Sequence, residues 1–166
     1  MDLHSITKVS FSQVVGLAEA VDEAGGQADV ARIAAEVEMD LDRIGPIVAA
    51  SEFLGLVVVE GGTLRLTELS HKVLKAGLRE RKKMLREILK DLPAFRYLIQ
   101  MVEGAGRPVS RKEVVDTFAL HFGTYQADDL FRALVYWGRY SELIAYDSRS
   151  ELLSLRVPGV RLPSAH

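Results

Sequence analysis

One pattern occurs twice in this chain and leaves few folds open to it. Three successive segments carry apolar residues at helical spacing, and two short β-like runs around a tight turn follow them. In the first copy Phe11, Val14, Val15, Ala18 and Val21 mark a helix that Gly25-Gly26 stops. Asp29 is placed to N-cap a second helix, with Val30, Ile33, Ala34 and Val37 on one face. Asp40 is placed to cap a third, carrying Leu41, Ile44, Ile47, Val48 and Leu54, and Gly55 ends it. Pro46 lies inside that segment, which predicts a kink or a late start, because proline lacks the amide a helix interior needs. Leu56 to Glu60 and Thr63 to Thr67 then flank Gly61-Gly62, a pair suited to a hairpin turn with positive φ.

The second copy opens at Pro93, a residue suited to a first helical position, and continues through Leu98, Met101 and Val102 until Gly104 to Pro108 break it. Ser110-Arg111-Lys112-Glu113 is a capping box, and Val114, Val115, Phe118 and Phe122 form the apolar face behind it. A helix over 127–140 buries Leu130, Phe131, Leu134 and Val135. Leu143 to Tyr146 and Leu152 to Arg156 are strands around Asp147-Ser148-Arg149-Ser150. Between the copies, Thr67 caps a helix with Leu69, Val73 and Ala76 inward. A second helix, over 78–92, buries Met84, Leu85, Ile88, Leu89 and Leu92. The expected fold is mostly α with small β-hairpins: a tandem winged helix, two helix-helix-helix-hairpin units joined by two bridging helices. Its parts are a lead-in at 1–10, winged helix 1 at 11–67, bridging helices at 68–93, winged helix 2 at 94–156 and a flexible tail at 157–166. The best local match sets Phe53-Leu54-Gly55 against Tyr136-Trp137-Gly138, each glycine ending a helix before its hairpin.

Composition closes off several classes of function. The net charge of −2 over 166 residues gives no global pull toward nucleic acid or membrane. With no cysteine there are no disulfides, thiolate metal sites or cysteine nucleophiles. The four histidines, His4, His71, His121 and His166, are scattered, and none belongs to a carboxylate-histidine set in a zinc-like pattern. His121 is expected at the edge of the second unit's core. Asp128-Asp129 reads as a first-turn pair complementing a helix dipole. No nucleophile, base and orienting group come together, so no catalytic residue, metal or cofactor is expected. No apolar run approaches membrane-span length and no signal peptide opens the chain, which predicts a cytoplasmic protein without membrane insertion.

Trp137-Gly138-Arg139-Tyr140-Ser141-Glu142-Leu143-Ile144-Ala145-Tyr146-Asp147 holds the single tryptophan and two of the five tyrosines. With Glu151-Leu152-Leu153-Ser154-Leu155, Thr67-Glu68-Leu69-Ser70, Glu80-Arg81-Lys82-Lys83 and the Pro93 region, this string resembles the AAA-associated C-terminal domain. Gly25-Gly26-Gln27-Ala28-Asp29 and Leu54-Gly55-Leu56 are similar to that family's N-terminal part, so the resemblance spans about 11–156. It implies a regulatory attachment to the ATP-binding subunit of nitrate/sulfonate/bicarbonate-type ABC transporters. The chain holds no Gly-x-x-x-x-Gly-Lys-Ser/Thr phosphate loop. The implied ATPase is therefore either a separate polypeptide or the rest of a longer chain.

Two surfaces are candidates for contact. Lys72, Lys75, Arg79, Arg81, Lys82, Lys83, Arg86 and Lys90 form a basic run that suits a polyanion or an acidic protein surface, or else is a solvated helix face. Trp137, Gly138, Arg139, Tyr140 and Tyr146 form a structural signature whose rings either fill a helix–hairpin gap or offer a platform; Arg139 can stack on them or pair with Glu142. A winged helix also invites comparison with DNA-binding regulators. A major-groove reader needs exposed Arg, Lys, Asn or Gln on its third helix. Residues 40–55 offer Asp40, Asp42, Arg43 and Glu52, and 127–140 offer Asp128 and Asp129 against Arg132 and Arg139. Protein contact, with an ABC transporter ATPase or a second copy of the chain, is therefore expected ahead of nucleic acid. A ligand sensor between the units is a third reading.

Overall fold

The structure is a computed structural model that describes residues 6–156; the side chains of Phe122, Thr124 and Tyr125 fall outside the description, as do His4, His166 and the tail expected at 157–166. Among the described residues there are eight helices and six strands, in two antiparallel three-stranded sheets. The chain divides into two compact units between Glu80 and Arg81, within the helix α5 (Leu78–Lys90).

The first unit runs α1 (Phe11–Glu23), β1 (Gln27–Asp29), α2 (Val30–Glu36), α3 (Leu41–Phe53), β2 (Val57–Glu60), β3 (Thr63–Leu66) and α4 (Glu68–Lys75). In the second, α6 (Pro93–Ala105), β4 (Val109–Ser110), α7 (Arg111–Phe122), α8 (Thr124–Tyr140), β5 (Ile144–Asp147) and β6 (Leu152–Leu155) follow α5. The order helix, strand, helix, helix, strand, strand thus occurs twice. The sheets also match, with strand orders β1-β3-β2 and β4-β6-β5. Leu64 and Leu153, at the centre of their sheets, are fully buried.

The expected hairpins are therefore three-stranded sheets. β1 and β4 have three residues and two, too few for any alternation to register in the sequence. They exist because an N-cap residue is already extended: Asp29 sits at φ −65°, ψ 142° and Ser110 at φ −81°, ψ 157°. Each following helix then gives its first amide to the hairpin, Val30 to the Gly62 carbonyl at 2.9 Å and Arg111 to the Glu151 carbonyl at 2.8 Å. These contacts satisfy amides that a helix N-terminus would leave without partners. Gly61 and Gly62, both at positive φ, make the turn the sequence predicts.

Caps follow the sequence in part. The side chains of Ser10, Asp40, Thr67 and Ser110 all accept amides at their helix starts. Asp29 caps by position only; its carboxylate accepts the Thr63 hydroxyl at 3.1 Å. Pro46 lies inside α3, which starts at Leu41 and so begins no later than its cap. Leu41 itself is 60% exposed, where the sequence places it inward. Helical side chains lean toward the N-terminus, so a residue in the first position overhangs the end of its helix. α2 closes with the Met39 amide on the Ala34 carbonyl and Glu38 at φ 56°. An L-residue is strained there, so Glu38→Gly should raise stability by about 0.5–1 kcal/mol, read by urea denaturation.

The capping box of α7 is also an electrostatic centre. Glu113 accepts the Ser110 amide, and both its oxygens meet the Arg107 guanidinium, the shorter contact being 2.7 Å. The Arg107 hydrogen bonds, and after them the Ser110 amide, lower its pKa from 4.5 to about 2. A carboxylate with a depressed folded pKa stabilises fully above its unfolded value and loses that contribution as pH falls through the folded one. Stability should therefore fall between about pH 4.5 and about pH 2. Glu113→Gln should flatten that part of the profile, measured by thermal unfolding across pH.

Candidate interaction surface

The helix-to-hairpin junction of the second unit is built around Trp137, which is fully buried. Its ring meets that of Tyr136 edge-on at 5.5 Å between centroids. Gly138 does not end α8, as the match with Gly55 predicts. It is helical and buried, and a Cβ there would come within 2.5 Å of Ile144 Cγ1. The helix ends two residues later, with Glu142 at φ 62° and the Leu143 amide on the Gly138 carbonyl at 2.8 Å. In the first unit Gly55, at φ 79°, holds the corresponding place, with the Leu56 amide on the Ser51 carbonyl at 2.9 Å. Glu142, not Gly138, is thus the counterpart of Gly55. Gly138 corresponds to Ser51, and its role is close approach of α8 to β5.

Within the basic run the residues differ in exposure and in partners. Arg86 is 8% exposed, and its Nε donates to the Ser141 carbonyl at 3.1 Å. This places a cation at the C-terminus of α8, where carbonyls without helical partners concentrate negative charge. Lys90 pairs with Glu87 at 3.4 Å, and Lys82 Nζ lies 5.5 Å from the centre of the Tyr140 ring. Arg81 is half-buried and Lys83 exposed. Lys72, Lys75 and Arg79 are exposed on the first unit.

An open groove of about 700 Å³ lies in the second unit along α8 and the β5–β6 hairpin. Arg132, Tyr136 and Arg139 reach it from α8, at i, i+4 and i+7 on one helix face. Tyr140 stacks near Tyr136, with centroids 6.3 Å apart. Tyr146 joins from β5, edge-on to Phe131 at 5.4 Å. Arg111 comes from the start of α7, its guanidinium 5.5 Å from the Phe131 ring and 3.0 Å from Asp128. Asp128 and Asp129 therefore do not complement a first turn. α8 begins at Thr124, and Asp128 serves as the partner of Arg111. Arg139, Tyr140 and Tyr146 of the predicted signature meet at this groove, while Trp137 and Gly138 are buried and do not line it. Glu142, offered as a partner for Arg139, lies instead 4.0 Å from Arg156. Arg132 and Tyr136 were findable from their helical spacing with Arg139; Arg111, from another helix, was not.

Other groups stay apart. His121 Nε2 lies 3.1 Å from the Tyr97 hydroxyl. Among the described residues no three His, Cys, Asp or Glu side chains are grouped to hold a metal, and no helix is long and apolar enough to cross a membrane.

A family model described as the C-terminal AAA-associated domain matches residues 31–147, which take in α3, the strands β2 to β5 and the groove helix α8. No curated protein and no solved structure matches the chain.

Proposed function

The chain belongs to the C-terminal AAA-associated domain family, and from that membership we propose that it is a non-catalytic protein-contact module that docks on an ABC transporter ATP-binding subunit and regulates it. Such subunits work at the cytoplasmic face of the membrane, and the module is placed there with them. The repeated strand orders β1-β3-β2 and β4-β6-β5, each preceded by helices, support reading the two units as tandem winged helices.

One observation carries protein contact over DNA contact: the third helix and hairpin of the first unit and the turn of the second hairpin, surfaces that a winged helix turns to DNA, are here acidic or neutral. On α3, Asp42 offsets Arg43, and Leu41 stands exposed beside them. The first hairpin carries Glu60 at its turn, facing Arg65 at 3.9 Å. The second turn holds Asp147 and Glu151 against Arg149. The Arg149 amide, and after it the Ser150 hydroxyl, keep the Asp147 carboxyl below the usual range, so it stays charged. Phosphates approaching either hairpin meet carboxylates, which opposes the counterion-release attraction that dominates DNA affinity.

The test is a titration of the purified chain into a transporter ATP-binding subunit while phosphate release is followed. A saturable change in hydrolysis rate is expected; an unchanged rate at every ratio refutes regulation. The cations of α4 and α5 favour a second reading, polyanion binding, which gel shifts across salt decide. Sequence-dependent binding that survives physiological salt would make the chain a DNA-binding regulator.

A further inference from the structure

We propose that the groove between α8 and the β5–β6 hairpin is a docking site for an acidic, aromatic- or leucine-bearing peptide segment of the partner protein. This rests on the protein-contact reading above and names the surface and the chemistry that reading leaves open.

The charge of the groove selects the sign of its occupant. Three guanidinium groups, Arg111, Arg132 and Arg139, line it against a single carboxylate, Glu151. Arg111 is held by Asp128, whereas Arg132 and Arg139 have no carboxylate within ion-pair distance among the described residues. Both are exposed, so an incoming Asp or Glu reaches them without displacing a partner. Arginine forks bind carboxylates in a bidentate manner and lose less freedom per hydrogen bond than lysine.

The rings select what lies between those acids. Tyr136 and Tyr140 stand one turn apart on α8, and Phe131 and Tyr146, in edge-on contact with each other, line the same groove. Tyrosine gives large contact area at low entropic cost and keeps a hydroxyl for hydrogen bonding, which is why aromatic and arginine residues anchor interfaces. Lys82, over the Tyr140 ring, adds a cation beside it. An open trough suits a segment of chain better than a nucleotide, for which the sequence supplies no glycine-rich phosphate cradle.

The experiment pans a random peptide library against the full chain and against Arg132→Glu/Arg139→Glu. The double variant changes two exposed side chains, and its circular dichroism and melting temperature should match the parent's. Peptides selected by the parent should combine Asp or Glu with Phe, Trp or Leu, and the variant should retain them about tenfold less or worse. Selected peptides without acids, or equal retention by the variant, would overturn the proposal. So would binding of a random-sequence DNA duplex that the same double substitution abolishes, since the groove would then serve nucleic acid. Repeating the phosphate-release titration with the variant separates this proposal from the functional one. A response as large as the parent's overturns the groove and leaves regulation standing. Acidic peptides selected by the parent alone, with no ATPase response from either protein, uphold the groove and overturn regulation.

Discussion

Trp137→Ala should lower the stability of the second unit by about 3–5 kcal/mol. The indole is fully buried, among the largest side chains with no solvent exposure, and sits one residue before the point where α8 meets β5 most closely. Removing it forfeits the transfer free energy of the ring system and leaves a cavity that rigid neighbours cannot collapse. Phe95 and Phe118 are likewise fully buried in the same unit. Because Trp137 is the single tryptophan, the substitution also removes the intrinsic fluorescence probe, and the comparison belongs to urea denaturation followed by circular dichroism. A loss under about 1 kcal/mol would show that the ring is not a core element.

Gly138→Ala should also destabilise, although alanine is the better helix former by about 1 kcal/mol. The new methyl would lie 2.5 Å from Ile144 Cγ1 and 2.7 Å from its Cδ1. Ile144 is 1% exposed and held in β5 opposite Leu155, so it has nowhere to turn. Overpacking of this kind costs about 1–3 kcal/mol, occasionally more, and the propensity gain offsets about 1 kcal/mol of it. The decisive measurement is a double-mutant cycle with Ile144→Ala, which removes both clashing carbons. The glycine substitution should cost far less in that background. A neutral or stabilising Gly138→Ala in the parent chain would contradict the close approach.

These two residues also show how far the sequence reaches. Trp137 reads as core from its size and helical position, and the structure buries it. Gly138 reads as a helix terminator because glycine so often is one, and a shift of one Schellman turn is invisible in sequence when Glu142 adopts the left-handed conformation instead. The helix order and the Ser110 box were legible because periodicity and capping are local. β1 and β4 were not, because their pairing is made with strands 34 or more residues away. The same holds for Arg86. Its charge suggests a surface, and only the Ser141 carbonyl, 55 residues on, explains its burial. The groove divides likewise: the sequence singles out Arg139, Tyr140 and Tyr146, the helical spacing of α8 could have added Arg132 and Tyr136, but Arg111 arrives through tertiary structure.

Contact between the chain and an ATP-binding subunit of a transporter is open to a single experiment, affinity capture. The tagged full chain is used as bait in native lysate of its source cell at physiological salt, with nuclease present, and bound proteins are identified by mass spectrometry. An ABC transporter ATP-binding subunit should be recovered in stoichiometric amount and lost when untagged chain is added in excess. Recovery of no such subunit, with transcription machinery or DNA-bound complexes in its place, would overturn the ATPase-docking role.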